Sequence, residues 1–238
     1  MARLLVYPRT LGGLPVILVG LDEAGRGPVL GPLVVAGVAV EDAELPARLG
    51  CTDSKKLSPD RRRAIERALR AAPGVRIATR TIAAEDLDRR RAAGESLTAI
   101  EVKAFQEIGT ELGATTLIVD AAHPNAATFA ALLRPGLPAG TRIKSEHKAD
   151  LNHPIVGAAS IVAKVARDEA VAQLARRLER ILDLPLGSGY PSDATTRRFL
   201  TAWWRTHHAW PEGTRTSWAT LRDLAAPQVP LDAFDATL

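Results

Sequence analysis

The sequence predicts an α/β fold with a central mixed five-stranded sheet, flanking helices and a C-terminal helical extension. Two apolar segments, residues 15–22 and 32–40, flank a loop rich in Gly and Pro, which indicates a hairpin. Further along the chain, short apolar segments alternate with helical patterns. Strands that alternate with helices are typical of an α/β sheet.

The remaining elements follow from local signals. Ser58 and Pro59 predict the start of a helix that runs to about residue 71. A strand is expected at 75–82 and a helix at 96–112. Asn152 is expected to cap a long Ala-rich helix. In order, the later elements are predicted as a strand at 115–120, a helix at 125–134, a strand at 141–147, and helices at 154–182, 193–206 and 215–224.

Composition limits the class of protein. The chain has 238 residues with 46% hydrophobic and 24% charged residues, which is typical of a globular domain. It has no apolar run of transmembrane length and no export signal, and Cys51 has no second cysteine with which to pair. We therefore expect a cytoplasmic monomer with one folded domain, residues 1–224, and a flexible tail, residues 225–238.

The net charge of +4 favours polyanionic partners only weakly, but the basic residues occur in clusters. Lysines lie at 55–56, and arginine triplets at 61–63 and 89–91. Each cluster is explained equally well by a solvated helix face and by contacts with phosphates.

Four acidic residues fall at the ends of predicted elements. Asp22 and Glu23 end the first strand, Asp120 ends a later strand, and Asp150 precedes the long helix. If they converge, their mutual repulsion calls for a hard cation such as Mg²⁺ or Mn²⁺. Two such ions can promote phosphodiester hydrolysis. From spacing alone, Asp120 could instead cap a loop and Asp150 could begin a helix.

Six ordered motifs then identify a family resemblance. The sequence resembles the ribonuclease HII family, and more its archaeal and eukaryotic branch than its bacterial one. The motifs are Asp22-Glu23-Ala24-Gly25-Arg26-Gly27-Pro28, Asp53-Ser54-Lys55-Lys56-Leu57, Val119-Asp120-Ala121, His147-Lys148-Ala149-Asp150, the segment 158–168, and Gly187-Ser188-Gly189-Tyr190-Pro191-Ser192-Asp193.

The resemblance implies an RNase H-like fold and hydrolysis of the RNA strand of RNA/DNA hybrids. It also implies cleavage on the 5′ side of ribonucleotides embedded in duplex DNA, leaving a 3′-hydroxyl and a 5′-phosphate, with roles in ribonucleotide excision repair and RNA primer removal. Asp22, Glu23, Asp120 and Asp150 would be the catalytic carboxylates that bind Mg²⁺ or Mn²⁺.

The resemblance also assigns substrate contacts. Gly25, Arg26 and Gly27 would sense the ribose 2′-hydroxyl, which distinguishes RNA from DNA, and Tyr190 would pack against the same sugar. The glycines could otherwise serve only a tight turn, and Tyr190 could be a packing residue. Lys164, Arg167 and Asp168 are interpreted as mainly structural. Contacts with backbone phosphates are assigned to Ser54, Lys55 and Lys56.

Two other functions remain as alternatives. A non-catalytic hybrid-binding protein would gain nothing from four packed carboxylates. Ribonuclease HIII usually carries an additional N-terminal domain and lacks the Gly-Arg-Gly turn. In the tail, Gln228, Leu231 and Phe234 have the spacing of a sliding-clamp-binding peptide, although Asp235 stands where a second aromatic residue often lies. A flexible tail in which this spacing arises by chance is the alternative.

Overall fold

A computed structural model describes residues 10–11 and 14–225. A short antiparallel pair, β1 and β2, precedes a five-stranded sheet of order β5-β4-β3-β6-β7. The strands are β1 (Thr10–Leu11), β2 (Leu14–Pro15), β3 (Leu18–Ala24), β4 (Leu33–Val40), β5 (Val75–Ile82), β6 (Thr116–Asp120) and β7 (Arg142–Glu146). The helices are α1 (Leu45–Arg48), α2 (Pro59–Ala71), α3 (Ala84–Ala92), α4 (Leu97–Glu111), α5 (Ala126–Leu133), α6 (Ala149–Asn152), α7 (Pro154–Leu182), α8 (Ala194–His207) and α9 (Ala219–Ala225), with 3₁₀ turns at Ser54–Lys56 and Arg134–Gly136.

The sheet is mixed, which confirms the predicted fold class. Strands β3, β4 and β5 form an antiparallel meander, whereas β6 and β7 run parallel to β3. Parallel neighbours carry their carboxyl ends to the same edge of the sheet. Asp22 in β3 and Asp120 at the end of β6 follow the paired residues Leu21 and Val119, so they lie at the same level.

The sheet is covered on both faces, and its strands are accordingly apolar on both sides. Alternate residues of β3 and β4 pack against α4 and α5 on one face and against α2 and α7 on the other. Helix α7 approaches β3 so closely that a Cβ on Gly20 would lie 2.3 Å from the carbonyl oxygen of Ile155. Glycine at this position therefore allows the helix to pack directly on the strand.

The predicted C-terminal helical extension is present. Helices α8 and α9 pack on the distal half of α7 through a third apolar cluster that includes Phe199, Trp203 and Leu221. Asp193 caps α8, as its side chain accepts a hydrogen bond from the backbone N–H of Thr195. Within the described residues, none of the helices is long and apolar enough to cross a membrane.

The prediction that Asn152 caps the long helix is wrong. Asn152 ends the short helix α6, and His153 is the N-cap of α7, with extended backbone angles and no capping hydrogen bond from its side chain. His153 is buried, with 6% exposure, and its Nε2 lies 2.7 Å from Glu146 Oε2. The sequence was misread because a proline at the first helical position permits a helix start without a polar cap.

Candidate active site at the carboxyl ends of the central strands

The four predicted carboxylates meet at one edge of the sheet. Asp22 and Glu23 come from β3, Asp120 from β6, and Asp150 from α6, which follows β7 after a left-handed turn at Lys148. The backbone N–H of Ala149 donates to Asp120 Oδ1 at 3.3 Å, and this bond fixes α6 beside β6. The parallel strands therefore bring together acids that lie up to 128 residues apart in the sequence.

The carboxylates repel one another in a buried setting. Burial raises the pKa of Asp22 well above its usual range, Glu23 and Asp120 add to the rise, and a hydrogen bond from Ser160 opposes it. Burial, with repulsion from Glu101 and Asp120, raises the pKa of Glu23 to about 8. Burial and Asp120 also raise the pKa of Asp150. A cation would relieve this repulsion.

These residues fit divalent metal ions by donor chemistry. All four offer carboxylate oxygens, the ligands that Mg²⁺ and Mn²⁺ prefer, and Glu23 Oε2 is buried without a hydrogen-bond partner among the described residues. In the described part of the chain, no group of three or more His, Cys, Asp or Glu side chains is arranged to hold an ion as it stands. Mg²⁺ commonly takes only one or two carboxylates together with water and substrate phosphate, so a closed cage is not required.

A cavity of about 450 Å³ opens over these acids. Every predicted site residue except Lys56 lines it, and Ala24, Ser160 and Lys164 complete the lining. Lys56 is exposed, with Nζ 3.9 Å from Asp53 Oδ2, and its contact with substrate stays a prediction. The predicted residues in the lining are Asp22, Glu23, Gly25, Arg26, Gly27, Ser54, Lys55, Asp120, Asp150 and Tyr190.

One wall of the cavity is basic and rich in hydroxyl groups. The hydroxyl groups of Ser54 and Ser160 lie 2.9 Å apart, and Lys55 and Lys164 line the same cavity. Behind them, the buried Arg62 donates to the carbonyl oxygen of Ser54 at 2.9 Å and so supports this turn. Sequence reasoning missed Ser160. It interpreted Lys164 as structural because Asp168 lies four residues further on, and the two side chains do form an ion pair, although Lys164 also lines the cavity.

The Arg26 guanidinium is paired with a buried carboxylate of α4. Its Nη1 lies 3.0 Å from Glu101 Oε2, and Nη2 donates to Thr98 Oγ1 at 3.2 Å. Glu101 is fully buried in α4, and burial raises its pKa to about 7 against the opposing effects of Arg26 and Arg215. This buried partner anchors the turn at residues 25–27, and no sequence pattern indicated it.

Tyr190 is held by a buried arginine. The Arg167 guanidinium lies 4.9 Å from the Tyr190 ring centre and donates to the carbonyl oxygens of Leu30 and Ser188, each at 3.3 Å. The carbonyl oxygen of Gly189 accepts from the backbone N–H of Val29 at 2.8 Å. The loop that carries Tyr190 and the turn at residues 25–27, here called the glycine turn, therefore pack together beside the carboxylates.

Arg215 holds the glycine turn in place through hydrogen bonds to backbone carbonyl groups. It is fully buried and donates to the carbonyl oxygens of Gly25 at 2.6 Å, Gly31 at 3.0 Å and Arg26 at 3.3 Å. Burial, together with repulsion from Arg167, lowers its pKa to about 10. Three carbonyl groups on two sides of the loop thus depend on one guanidinium.

Replacing Arg215 by Lys is expected to lower the free energy of unfolding by about 3 kcal/mol, because an ammonium group cannot reach all three carbonyl groups and leaves buried acceptors unsatisfied. Urea denaturation measures the change. Arg222→Lys, an exposed position in α9, serves as the control and should unfold like the wild type. An R215K protein as stable as this control would contradict the organising role of Arg215.

Comparison with known proteins identifies the family. The family model described as ribonuclease HII matches residues 19–221. The chain belongs to the ribonuclease HII family. The ribonuclease HII of Methanothrix thermoacetophila is 40% identical over 215 residues, which cover 90% of this chain and 99% of the relative. The ribonuclease HII of Halobacterium salinarum is 40% identical over 218 residues, covering 90% and 98%.

Solved structures agree with this assignment. Ribonuclease H2 from Pyrococcus horikoshii has a TM-score of 0.79 at 31% identity, covering 88% of this chain and 97% of that one. Ribonuclease HII from Archaeoglobus fulgidus, in a structure with PCNA, has a TM-score of 0.80 at 36% identity, covering 91% and 100%. Bst-RNase HIII, in a structure with Mn²⁺, has a TM-score of 0.72 at 21% identity, covering 88% and 69%, and shows the shared fold alone.

Family membership establishes the general activity. Ribonucleases HII are metal-dependent nucleases that hydrolyse the RNA strand of RNA/DNA hybrids, so this chain is a hydrolase of that class. The expected resemblance to the archaeal branch is confirmed by its archaeal relatives.

Proposed function

We propose that this ribonuclease HII is an endonuclease that cuts on the 5′ side of a ribonucleotide embedded in duplex DNA, leaving a 3′-hydroxyl and a 5′-phosphate. We propose further that it serves ribonucleotide excision repair and RNA primer removal. The observation that carries the cleavage proposal is the shared cavity, in which the turn at residues 25–27 and Tyr190 lie beside four converging carboxylates.

In the proposed mechanism, Asp22, Glu23, Asp120 and Asp150 hold two divalent ions, Mg²⁺ or Mn²⁺. When bound, such ions promote attack by water and stabilise the leaving oxygen. Ser54, Lys55, Ser160 and Lys164 would bind the scissile strand through its phosphates.

Tyr190 and the backbone at Gly25 and Gly27 would contact the ribose. A ribose 2′-hydroxyl can donate and accept a hydrogen bond, which a deoxyribose cannot do. Because Arg26 is tied to Glu101, its contribution to recognition would come from its backbone and from the rigidity of the turn.

The decisive assay uses a labelled DNA duplex with one internal ribonucleotide, incubated with Mg²⁺ or Mn²⁺. A single cut 5′ to the ribonucleotide, with a 3′ end that a polymerase extends, is the expected result. An all-DNA duplex is the control and should stay intact. Cleavage of long hybrids without cleavage of the embedded ribonucleotide would overturn this proposal while leaving the family activity in place.

The raised pKa of Glu23 predicts a pH dependence of stability. An unfolded Glu ionises near pH 4.3, whereas folded, metal-free Glu23 holds its proton up to about pH 8. The contribution of Glu23 to the free energy of unfolding is therefore fully present below about pH 4 and is lost as pH rises through about 8. Because metal binding requires the ionised carboxylate, apparent affinity for Mn²⁺ rises across the same range.

Thermal unfolding with EDTA or Mn²⁺ at about pH 6 and about pH 8.5 tests this expectation. The increase in Tm caused by Mn²⁺ should be larger at the higher pH. Glu23→Gln, which cannot ionise, should reduce this pH dependence, while the part that comes from Asp22 should remain. An equal increase at both values in the wild type would contradict a role for Glu23 as a titrating ligand.

We also propose that residues 1–224 are the catalytic domain and that the tail binds a sliding clamp. The ribonuclease HII of Archaeoglobus fulgidus has been solved with PCNA, and Gln228, Leu231 and Phe234 have the spacing of a clamp-binding peptide. These three residues lie outside the described part of the chain. Deleting residues 226–238 should abolish binding to an archaeal clamp and leave cleavage unchanged. Binding that survives the deletion would refute the tail's role.

A further inference from the structure

The three arginines at the end of α3 have different partners. Arg89 pairs with Asp86 at 2.6 Å, and Arg90 pairs with Glu95 at 2.5 Å. Arg91 makes no ion pair within the described residues, and its guanidinium lies 5.6 Å from the centre of the Trp218 ring. The positive charge of Arg91 is thus held on an aromatic face rather than neutralised by a carboxylate.

The Trp218 ring has a fixed position. Its ring also lies 5.0 Å from the Arg215 guanidinium, which is buried. One turn before Arg91, Asp88 accepts hydrogen bonds from the backbone N–H groups and the hydroxyl groups of Thr216 and Ser217. Because Asp88 and Arg91 are three residues apart on one helix face, the contact that fixes the loop also sets Arg91 beside Trp218.

The charge of Asp88 persists at neutral pH. Burial opposes its ionisation, but the hydrogen bonds from Ser217 and Thr216 outweigh that effect and lower its pKa. The Asp88 carboxylate accepts these four hydrogen bonds from the loop and does not pair with Arg91. The Arg91 guanidinium is therefore available to an external anion.

A second cavity, of about 570 Å³, opens at this pair. Arg91, Trp218 and the partly buried Leu97 line it, and Arg26 and Gly27 line both this cavity and the one over the carboxylates. The two cavities therefore meet at the glycine turn. A strand lying with a ribose against Gly27 has a continuous path toward Arg91.

We infer that Arg91 and Trp218 form a binding subsite for the scissile nucleic-acid strand, next to the cleavage site. The Arg91 guanidinium binds a backbone phosphate of a nucleotide flanking the ribonucleotide, and the Trp218 and Leu97 side chains pack against the neighbouring sugar. An arginine whose planar group is already oriented on an aromatic ring loses little freedom when it binds a phosphate. This inference rests on the proposed function, because it takes the ribose to lie at the glycine turn.

Steady-state cleavage of three duplexes tests the subsite. In one, long DNA flanks lie on both sides of the ribonucleotide. In the second, the scissile strand ends at the ribonucleotide with a 3′-hydroxyl, and in the third it keeps a single nucleotide, without a 5′-phosphate, on the 5′ side of the ribonucleotide. Arg91→Ala should raise KM roughly five-fold on the long duplex, with the larger effect on KM than on kcat. That increase should disappear on one of the two shortened duplexes, because the phosphate in question is missing there.

Salt dependence and matched variants sharpen the test. Loss of one phosphate contact should make the slope of log affinity against log salt shallower by about 0.9. Arg89→Ala removes the same charge from the same helix but should leave KM unchanged, since Arg89 pairs with Asp86. Arg91→Lys should recover part of the affinity. Trp218→Leu should raise KM, and adding Arg91→Ala to it should change KM by less than in the wild type.

Two outcomes would overturn the inference. One is a KM for Arg91→Ala equal to that of Arg89→Ala, and the other is an equal increase on all three duplexes, as expected for bulk charge. If the wild type fails to cut the embedded ribonucleotide, the proposed function fails separately. The same variants and duplexes are then compared by fluorescence anisotropy, and the subsite is judged by the difference in binding between Arg91→Ala and Arg89→Ala.

Discussion

Replacing Asp120 by Asn is expected to reduce cleavage of RNA strands by about 10³-fold or more while leaving the metal-free protein at least as stable as the wild type. Asp120 lies between Asp22 on β3 and Asp150 on α6, at the centre of the four carboxylates. An amide of the same shape keeps the acceptor for the backbone N–H of Ala149. It removes the charge that a divalent ion requires.

The expected gain in stability distinguishes a metal ligand from a structural residue. The negative charge of Asp120 raises the pKa of Asp22, Glu23 and Asp150. Removing it relieves like-charge repulsion in a buried site, so the folded state is favoured when no metal is present. A residue needed only for folding would show the opposite change.

Cleavage kinetics and thermal unfolding in EDTA measure the two effects. Asp183→Asn makes the same chemical change at an exposed position with φ of 53°, a conformation that Asn tolerates well. This control should match the wild type in both measurements. Retained cleavage by Asp120→Asn would refute its assignment as a ligand, and a large fall in Tm would indicate a structural role instead.

Local sequence signals were sufficient for the strands that carry the acids. The apolar segments that end on Asp22 and Asp120 predicted buried strands, and the structure has both in the central sheet. Helix α2 starts after Ser58 as predicted, because the serine hydroxyl accepts from the backbone N–H of Arg61. In these cases the residues that fix an element are adjacent in sequence.

Features that depend on distant partners could not be predicted in this way. Helix α3 was missed because only Leu87 in its central turns is large and apolar, and the arginine triplet resembled a solvated segment. The structure fixes it through Asp88, whose partners lie 128 and 129 residues further on. Arg167 and Arg215 are buried for the same reason, since the carbonyl groups that they satisfy belong to a loop far away in sequence.

Alanine substitutions at Gly25 and Gly27 are expected to have different effects, the first on folding and the second on recognition of the substrate. Gly25 has φ of 96°, and a Cβ there would lie 2.5 Å from the carbonyl oxygen of Pro32 and 2.6 Å from Arg167 Nε. Gly25→Ala should therefore lower the free energy of unfolding by about 2–4 kcal/mol and abolish most of the cleavage. A Cβ on Gly27 would meet no atom within 4 Å.

Gly27→Ala should accordingly fold like the wild type, with a change in unfolding free energy within about 0.5 kcal/mol. Gly27 lines both cavities, so the added methyl group would meet the substrate rather than the protein. Displacing the strand by about 1 Å is expected to lower kcat/KM on an embedded ribonucleotide by about 10²-fold. The sequence motif treats the two glycines alike, whereas the structure predicts a clash within the protein at Gly25 and, with the proposed function, contact with the substrate at Gly27.

Urea denaturation and cleavage assays of both variants make the comparison. Gly94→Ala is a matched control for Gly25→Ala, since Gly94 has φ of 87° but open space around its Cβ position. The excess loss of stability in Gly25→Ala over Gly94→Ala measures the clash alone. Normal cleavage by Gly27→Ala would mean that the ribose does not approach the turn. A Gly25→Ala protein no less stable than Gly94→Ala would mean that the loop shifts to accept the methyl group, and the constraint from Arg167 and Pro32 would then be weaker than their distances imply.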